Sequence, residues 1–493
     1  MTGPSVIIIG TGASGLAVGT KLYENGFKNI LWLEANNRIG GRIYTENFGE
    51  NVIDYGAQWC HGEKDNCVYK LAQPYNLLES SNFNFTDPQQ FPEFFTVTGS
   101  NLPHDDTFKV HLALFEIMHT SENEMINFKD SLGHFVDIKF QEKLKSDLIG
   151  IDKNISKYVY DWFHKVENSL EASDTWYQTS ARGLTEYWEC EGDLLLNWKT
   201  RGYRTILDLL MKKYPDPTKA LPLDDKILLN KEVTNIVWNT DSNQNGVKVK
   251  CTDGSEYKAD HVIVTVSLGV LKERINSLFK PELPLTKLRA IRGLNIGTVN
   301  KLIFEFPHRW WPENHTGFSF VWNGDEVKET LKEFDGSLDD NTWLGDVFGF
   351  YPINHQPNVL LGWVVSSGAR KMEEIPEDEV KTKLIQLLRK FLGKKFNIPE
   401  PVAFTRSKWY TNPYFRGSYT FRSMATEKLN TSAADLAQPL KNSTGKEVVL
   451  FAGEATHSHY YSTVHGAIET GWREADRLLK LYMAGLNEIT SKI

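Results

Sequence analysis

The chain opens on a short apolar run, 5–9 (SVIII), which leads at once into a glycine-rich turn and a helical stretch to about Asn25, closed by Gly26. An unbroken run of β-branched residues marks a strand buried on both faces. A second run, 30–33 (ILWL), ends at Glu34. Strand, turn, helix and strand in this order open a doubly wound α/β sheet. Comparable signals recur much later. Residues 231–238 and 247–251 have strand character and flank a polar turn at 239–246. Residues 447–451 (EVVLF) read as a buried strand, and 462–482 as a long helix with Ala467, Gly471, Ala475, Leu478, Leu479 and Tyr482 for packing. Between them, Pro376 opens a helix with Val380, Leu384, Leu387, Leu388 and Phe391 on one face and Gly393 beyond its end. No repeat or low-complexity tract interrupts the pattern.

The turn after the first strand is Gly10-Thr11-Gly12-Ala13-Ser14-Gly15. Gly10 permits the tight turn, Gly12 lets backbone approach a pyrophosphate, and Gly15 lets helix and strand pack closely. The helix start offers free N–H groups and a positive dipole to phosphates. Glu34, at the end of the second strand, is placed to accept hydrogen bonds from ribose hydroxyls. This unit predicts a dinucleotide site, for NAD or FAD alike. Arg38-Ile39-Gly40-Gly41-Arg42 follows. Two glycines between arginines fit a second close backbone approach with a guanidinium near phosphate, although a surface turn accounts for them equally.

With that segment the chain resembles the flavin amine oxidases. The likeness continues at Asp54-Tyr55-Gly56-Ala57-Gln58-Trp59-Cys60-His61-Gly62 and at His261-Val262-Ile263-Val264-Thr265-Val266-Ser267-Leu268-Gly269-Val270-Leu271. It closes with Asn412-Pro413-Tyr414-Phe415-Arg416-Gly417-Ser418-Tyr419 and Phe451-Ala452-Gly453-Glu454-Ala455-Thr456. Within the family it is most similar to the spermine and N1-acetylpolyamine oxidases of animals. The resemblance implies a Rossmann-type, glutathione-reductase-like FAD domain in three pieces, 1–84, 201–289 and 401–493. A second, α+β substrate domain is then built from 85–200 and 290–400.

It also implies roles. Gly10, Gly12, Ala13, Ser14, Gly15, Glu34, Arg42, Gln58 and Trp59 would contact FAD, with Val233 reaching the adenine through its backbone. Glu454 would bind ribityl hydroxyls, and Thr463 and Val464 would lie at the helix end facing the flavin, where a positive dipole suits the reduced ring. No cysteine follows Cys251, so FAD is expected to be non-covalent. Lys301, in the strand-like run 298–306, matches the lysine that holds a water beside the flavin. His61 matches a histidine facing the substrate, and Tyr414 an aromatic wall that suits an amine. Thr463 stands where other members have a second aromatic, leaving half a cage and disfavouring a monoamine substrate. The acidic segment 186–193, Glu189 included, would line a channel for a polycation, or stand as a solvated loop. Thr179 and Ser180 do not clearly match the polar pair of spermine oxidases, and Val299 replaces an Asn of acetylpolyamine oxidases. The resemblance to the polyamine oxidases implies oxidation of spermine, N1-acetylspermine or related amines at a carbon beside a secondary nitrogen, yielding a shorter polyamine, an aminoaldehyde and hydrogen peroxide.

Composition adds exclusions. A net charge of −8 argues against a nucleic-acid binder and mildly favours cationic ligands. Four scattered cysteines, Cys60, Cys67, Cys190 and Cys251, form neither a disulfide framework nor, with the histidines, a metal set. No apolar run is long enough to cross a membrane and no signal peptide precedes the first strand, so triplets such as Asn84-Phe85-Thr86 are read as chance. The end, Ser491-Lys492-Ile493, is one residue from a peroxisomal address; a cytoplasmic or peroxisomal location, the latter through an import receptor, is expected. Two alternatives stand beside a polyamine oxidase: a flavin oxidase of another amine (a monoamine, an amino acid or methyl-lysine), and a non-catalytic flavoprotein.

Overall fold

The computed structural model describes residues 3–84, 86–239, 246–322 and 324–490. Most of the expected turn at 239–246, Phe85 of the Asn84 triplet and the terminal Ser491-Lys492-Ile493 lie outside the described residues. Two six-stranded sheets carry the architecture.

In the first sheet Val6–Ile9 is central, parallel to Ile30–Leu33 on one side and to His261–Val264 on the other. Glu447–Phe451 extends the sheet beyond His261–Val264, and Ile227–Leu228 beyond Ile30–Leu33. Leu440–Lys441 closes one edge antiparallel. Both faces of the central strand are buried, as its unbroken apolar run requires. The helix Ala13–Glu24 packs closely: a Cβ on Gly19 would lie 1.9 Å from the Trp32 ring, and one on Gly471 would lie 2.5 Å from Ser14 O. The last helix, Val464–Thr490, thereby lies against the first. A four-stranded sheet, including Val233–Val237 and Val247–Cys251, stands beside this unit.

The second sheet runs Ala403–Arg406, Asn300–Glu305, Gln356–Val364, Val347–Ile353, Phe318–Val321, Glu93–Thr96. It therefore draws one strand from beyond residue 400, where the motifs set the return to the FAD unit. Residues 403–406 (AFTR) carry no motif, and pairing alone places them beside Asn300–Glu305. The helix Glu377–Leu392 buries its expected face, with Val380, Leu384, Leu387, Leu388 and Phe391 all at 0% exposure, each worth about 1.5–3 kcal/mol. The helices His104–Thr120 and Lys153–Glu171 pack on each other beside the sheet.

Candidate active site

One continuous cavity of about 1310 Å³ runs from the glycine turn of the first sheet to the second sheet and its helices. At the first end, Gly10 adopts φ +102° so that the strand can turn into the helix. The helix start carries no side-chain cap, which leaves its first N–H groups for a ligand. A Cβ on Gly12 would meet nothing nearer than 3.9 Å, so the backbone faces open space there. Ala13 and Ser14 line the same wall. Gly15 does not line the cavity: its missing Cβ would lie 2.1 Å from Gly10 O, so its part is helix–strand packing, not ligand contact.

Glu34 is buried and lines the cavity. It accepts from Thr11 N at 2.8 Å, Thr11 Oγ1 at 2.6 Å and Asn36 N at 2.8 Å, which fixes its carboxylate at the end of the strand. Of the arginines around Gly40-Gly41, Arg38 folds back onto the carbonyls of Ile39, Gly41 and Ile43. Arg42 instead reaches the cavity and donates to Ser418 O at 2.7 Å and Glu454 Oε1 at 2.9 Å. Glu454 also accepts from Thr420 Oγ1 at 2.6 Å and Ser462 N at 2.8 Å, and so ties four segments together. The Thr463 hydroxyl caps the last helix, accepting from Gly466 N at 3.0 Å and donating to Tyr460 O. Val464 begins that helix at the cavity wall, and Val233 lines the wall near Glu34.

Lys301 sits in an interior strand, paired on both sides, and is only 3% exposed. Its Nζ donates to Asp54 O at 2.7 Å, Gly56 O at 2.9 Å and Gln58 Oε1 at 2.7 Å. All three ammonium donors are thus held by protein, and of the acceptors only Gln58 is a side chain. Burial pulls the lysine pKa down to about 7, with the charge of Asp54 opposing. Trp59 and Trp363 stack with centroids 6.2 Å apart and flank Nζ at 5.8 and 5.4 Å. The loop that Lys301 pins leads straight to His61. There Nδ1 pairs with Leu194 O at 2.7 Å, and among the described residues Nε2 has no hydrogen-bond partner. Burial lowers the His61 pKa, against the Leu194 carbonyl and the charge of Glu189.

Tyr414 is partly buried and lines the cavity. Its loop is held by Glu373, 2% exposed, which accepts from the N–H of Trp409, Tyr410 and Thr411 at 2.8, 2.9 and 2.6 Å. Asn300 Nδ2, next to Lys301, donates to the same carboxylate at 2.7 Å. Glu189 is exposed on the cavity wall beside Trp188, whose ring stacks on His459 at 3.5 Å. Thr179 and Ser180 do not line the cavity; Ser180 caps the short helix Ala181–Leu184.

The sequence reading missed the acidic face of the helix Lys153–Glu171. Glu167 and Glu171 both line the cavity, with Trp162, Phe163 and Tyr419. Among the described residues neither carboxylate has a hydrogen-bond or ion-pair partner, and Glu171 Oε2 is buried without one. Burial, reinforced by Glu171, raises the Glu167 pKa to about 8. Burial raises Glu171 to about 7, with the Arg422 charge opposing.

The cavity thus holds free helix N–H groups at one end, a buried lysine further along and two acids beyond. Residues 13–479 match the family described as flavin containing amine oxidoreductase. The chain belongs to that family. It is 31% identical to the human peroxisomal N(1)-acetyl-spermine/spermidine oxidase, over 97% of this chain and 96% of that protein. It is 25% identical to polyamine oxidase 1 of Zea mays, over 97% and 90%. Wild-type putrescine oxidase bound to putrescine shares the fold at TM-score 0.67 and 18% identity, covering 97% of this chain and 99% of that one.

This flavin amine oxidase is an oxidoreductase acting on amines, with FAD as its cofactor. The groove fits that group. The uncapped helix start and the open space at Gly12 suit a pyrophosphate, and Glu34 stands where a ribose would be held. Among the described residues, no helix is long and apolar enough to cross a membrane.

Proposed function

We propose that this enzyme is a polyamine oxidase that takes spermine or N1-acetylated polyamines, with molecular oxygen and with water to hydrolyse the imine, to a shorter polyamine, an aminoaldehyde and hydrogen peroxide. One observation carries the reading: two carboxylates without a hydrogen-bond or ion-pair partner among the described residues, Glu167 and Glu171, on the wall of the cavity that also holds Lys301. Buried carboxylates left unpaired are costly unless a ligand completes them, and a flexible chain bearing several ammonium groups does so.

FAD, when bound, supplies the acceptor for the two electrons that leave the amine. Gly10, Gly12, Ala13, Ser14, Glu34, Arg42, Val233, Glu454, Thr463 and Val464 would hold it without a covalent bond. The remaining work falls to side chains in the second half of the cavity. Lys301 holds Gln58 and the backbone at Asp54 and Gly56, and so sets Trp59 and His61. His61, anchored through Nδ1 and kept neutral by burial, presents Nε2 as an acceptor for the proton of the reacting ammonium. Tyr414 offers an aromatic face to the same nitrogen. Glu189 at the exposed wall attracts the incoming cation.

The test is direct. Purified protein loaded with FAD is mixed anaerobically with spermine, spermidine, their N1-acetyl forms, a monoamine and a methyl-lysine peptide. Bleaching of the flavin absorbance by polyamines alone, then peroxide release on admitting oxygen and recovery of an aminoaldehyde, is expected. Bleaching by the monoamine or the peptide but not by polyamines would refute the reading.

A further inference from the structure

The loop that Lys301 pins has a second face. A small chamber of about 70 Å³ is lined by Asp54, Gln58, Asn197 and Trp198, among others. Gln58 and Trp59 line both this chamber and the large cavity, so the loop is the wall between the two. Asp54 lines the small chamber alone. The volume has room for about two water molecules, and the lining offers them polar partners. Trp198 is 2% exposed, and its Nε1 donor has no partner among the described residues. A buried donor left unmade costs about 1–3 kcal/mol, a cost that water in a polar chamber removes. Asp54 is held from elsewhere by neutral donors: it accepts from Thr45 Oγ1, and from Tyr203 N at 3.1 Å. Burial raises its pKa, against the bond from Thr45 and the charge of Lys301. The effect is mutual, since the charge of Asp54 opposes the burial that lowers Lys301. Yet Nζ donates to the main-chain oxygen of Asp54 and not to its carboxylate. The other titratable side chains around Asp54 are Tyr203, which burial keeps protonated far above neutrality, and Lys199 at the chamber wall. Lys199 turns its Nζ to Asn76 O at 2.8 Å.

We propose that the small chamber is a hydration site and that Asp54 is a positioning residue acting through Lys301. Water in the chamber keeps the carboxylate ionised, and the carboxylate holds the proton on the lysine from the far side of the loop. A buried ammonium whose three acceptors are all neutral needs such a counter-charge. A buried carboxylate in turn needs solvation that Thr45 and Tyr203 alone do not complete. The pair widens, on the alkaline side, the range in which Lys301 is charged. An amine substrate loses its own proton on that side, so the site keeps its cation where neutral amine becomes available. The inference needs an amine as substrate, and holds whether or not that amine is a polyamine.

The experiment uses no substrate. FAD-loaded protein is prepared with lysine isotope-labelled at Cε, and the Lys301 signal, identified by its loss in Lys301→Met, is followed by NMR across pH. In the parent it should titrate near pH 7. Asp54→Asn keeps an acceptor for Tyr203 N and a polar partner for Thr45, and removes only the charge. In that variant Lys301 should hold its proton at least about tenfold more weakly, the effect of losing one opposite charge nearby. A midpoint that stays in place or rises would overturn the proposal. A crystal structure of the parent tests the chamber without a variant. Ordered water linking Trp198 Nε1 to the Asp54 carboxylate is expected. A chamber with no ordered water would sink the proposal even if Asp54→Asn failed to fold. Neither readout depends on which amine is oxidised, so a failure of the polyamine reading is a separate result.

Discussion

Lys301→Met removes the buried cation at the centre of the site while keeping most of its apolar stem. The loss is three donated bonds, to Asp54 O, Gly56 O and Gln58 Oε1 at 2.7, 2.9 and 2.7 Å. Bonds from a charged donor contribute about 1.5–3 kcal/mol each. Against them stands the cost of keeping an ammonium out of water, several kcal/mol, the same burial that draws the lysine pKa down to about 7. The balance is a destabilisation of about 1–4 kcal/mol, small enough for the variant to fold and bind FAD. Function should suffer more. The loop from Asp54 to Gln58 leads into Trp59 and His61, and a misplaced donor or acceptor in a reacting site costs on the order of hundredfold in rate. Stopped-flow bleaching under nitrogen and reoxidation by oxygen would each be recorded from pH 6 to 9. We expect at least one half-reaction to slow by about hundredfold, and the ionisation near pH 7 to vanish from its profile. A variant fully loaded with FAD, with parental rates in both half-reactions and an unchanged profile, would refute the assignment.

Two glycines three residues apart should fail differently. Gly12→Ala meets no clash, so it should fold normally yet bind FAD at least about tenfold more weakly, as equilibrium dialysis would show. Gly15→Ala drives a methyl to 2.1 Å from Gly10 O and should destabilise the fold by more than about 3 kcal/mol, read as insoluble protein or an early denaturant midpoint. Glu373→Ala strips the acceptor shared by Asn300 and the N–H groups of residues 409–411, and should cost more than about 4 kcal/mol and loosen the Tyr414 loop, raising KM. The pH dependence of substrate-free stability follows from Glu167. Its folded pKa of about 8 lies above the unfolded value, so its contribution is complete below about pH 4.5 and is lost as pH rises through 8. Lys301, lowered to about 7, acts in the opposite sense and adds stability from pH 7 upward. The melting temperature of Glu167→Gln should fall less than the parent's between pH 6 and 9, and that of Lys301→Met more; curves parallel to the parent's would contradict both.

What could be read from the chain was local. Gly10, Gly12 and Glu34 declare themselves because the turn, the close approach and the ribose carboxylate lie within one strand–helix–strand unit, where spacing is chemistry. Lys301 could be singled out by family likeness but not understood, because its acceptors at 54, 56 and 58 are some 245 residues away. Glu373 was silent for the same reason: a carboxylate in a helix carries no sign that its partners are backbone N–H groups in a later loop. Glu167 and Glu171 did leave a sign. Val159, Phe163, Glu167 and Glu171 follow at intervals of four, so the apolar stripe of the helix runs directly into two acids. Acids in phase with a buried face mark a polar cavity or a fold under strain. The resemblance points instead to a polar pair near Thr179 and Ser180, which do not line the cavity.

The charges of the cavity also explain how one enzyme can treat chemically similar nitrogens differently. Oxidation beside an amine needs that nitrogen neutral, whereas binding a polyamine needs its other nitrogens charged. On the polyamine reading, the wall at Glu167 and Glu171 favours the ammonium form of any nitrogen it meets, because opposite charge in a poorly solvated space raises an amine's pKa. The region of Lys301 and His61 does the reverse: burial beside a cation that already uses the acceptors at residues 54, 56 and 58 lowers it, with the charge of the exposed Glu189 opposing. A chain of like amines laid along this field is deprotonated first where it must react and last where it must be held. The unpaired acids and the buried lysine are then two halves of one device. On that reading each would be a defect alone, and their separate places in the cavity would decide which nitrogen of the substrate loses its proton.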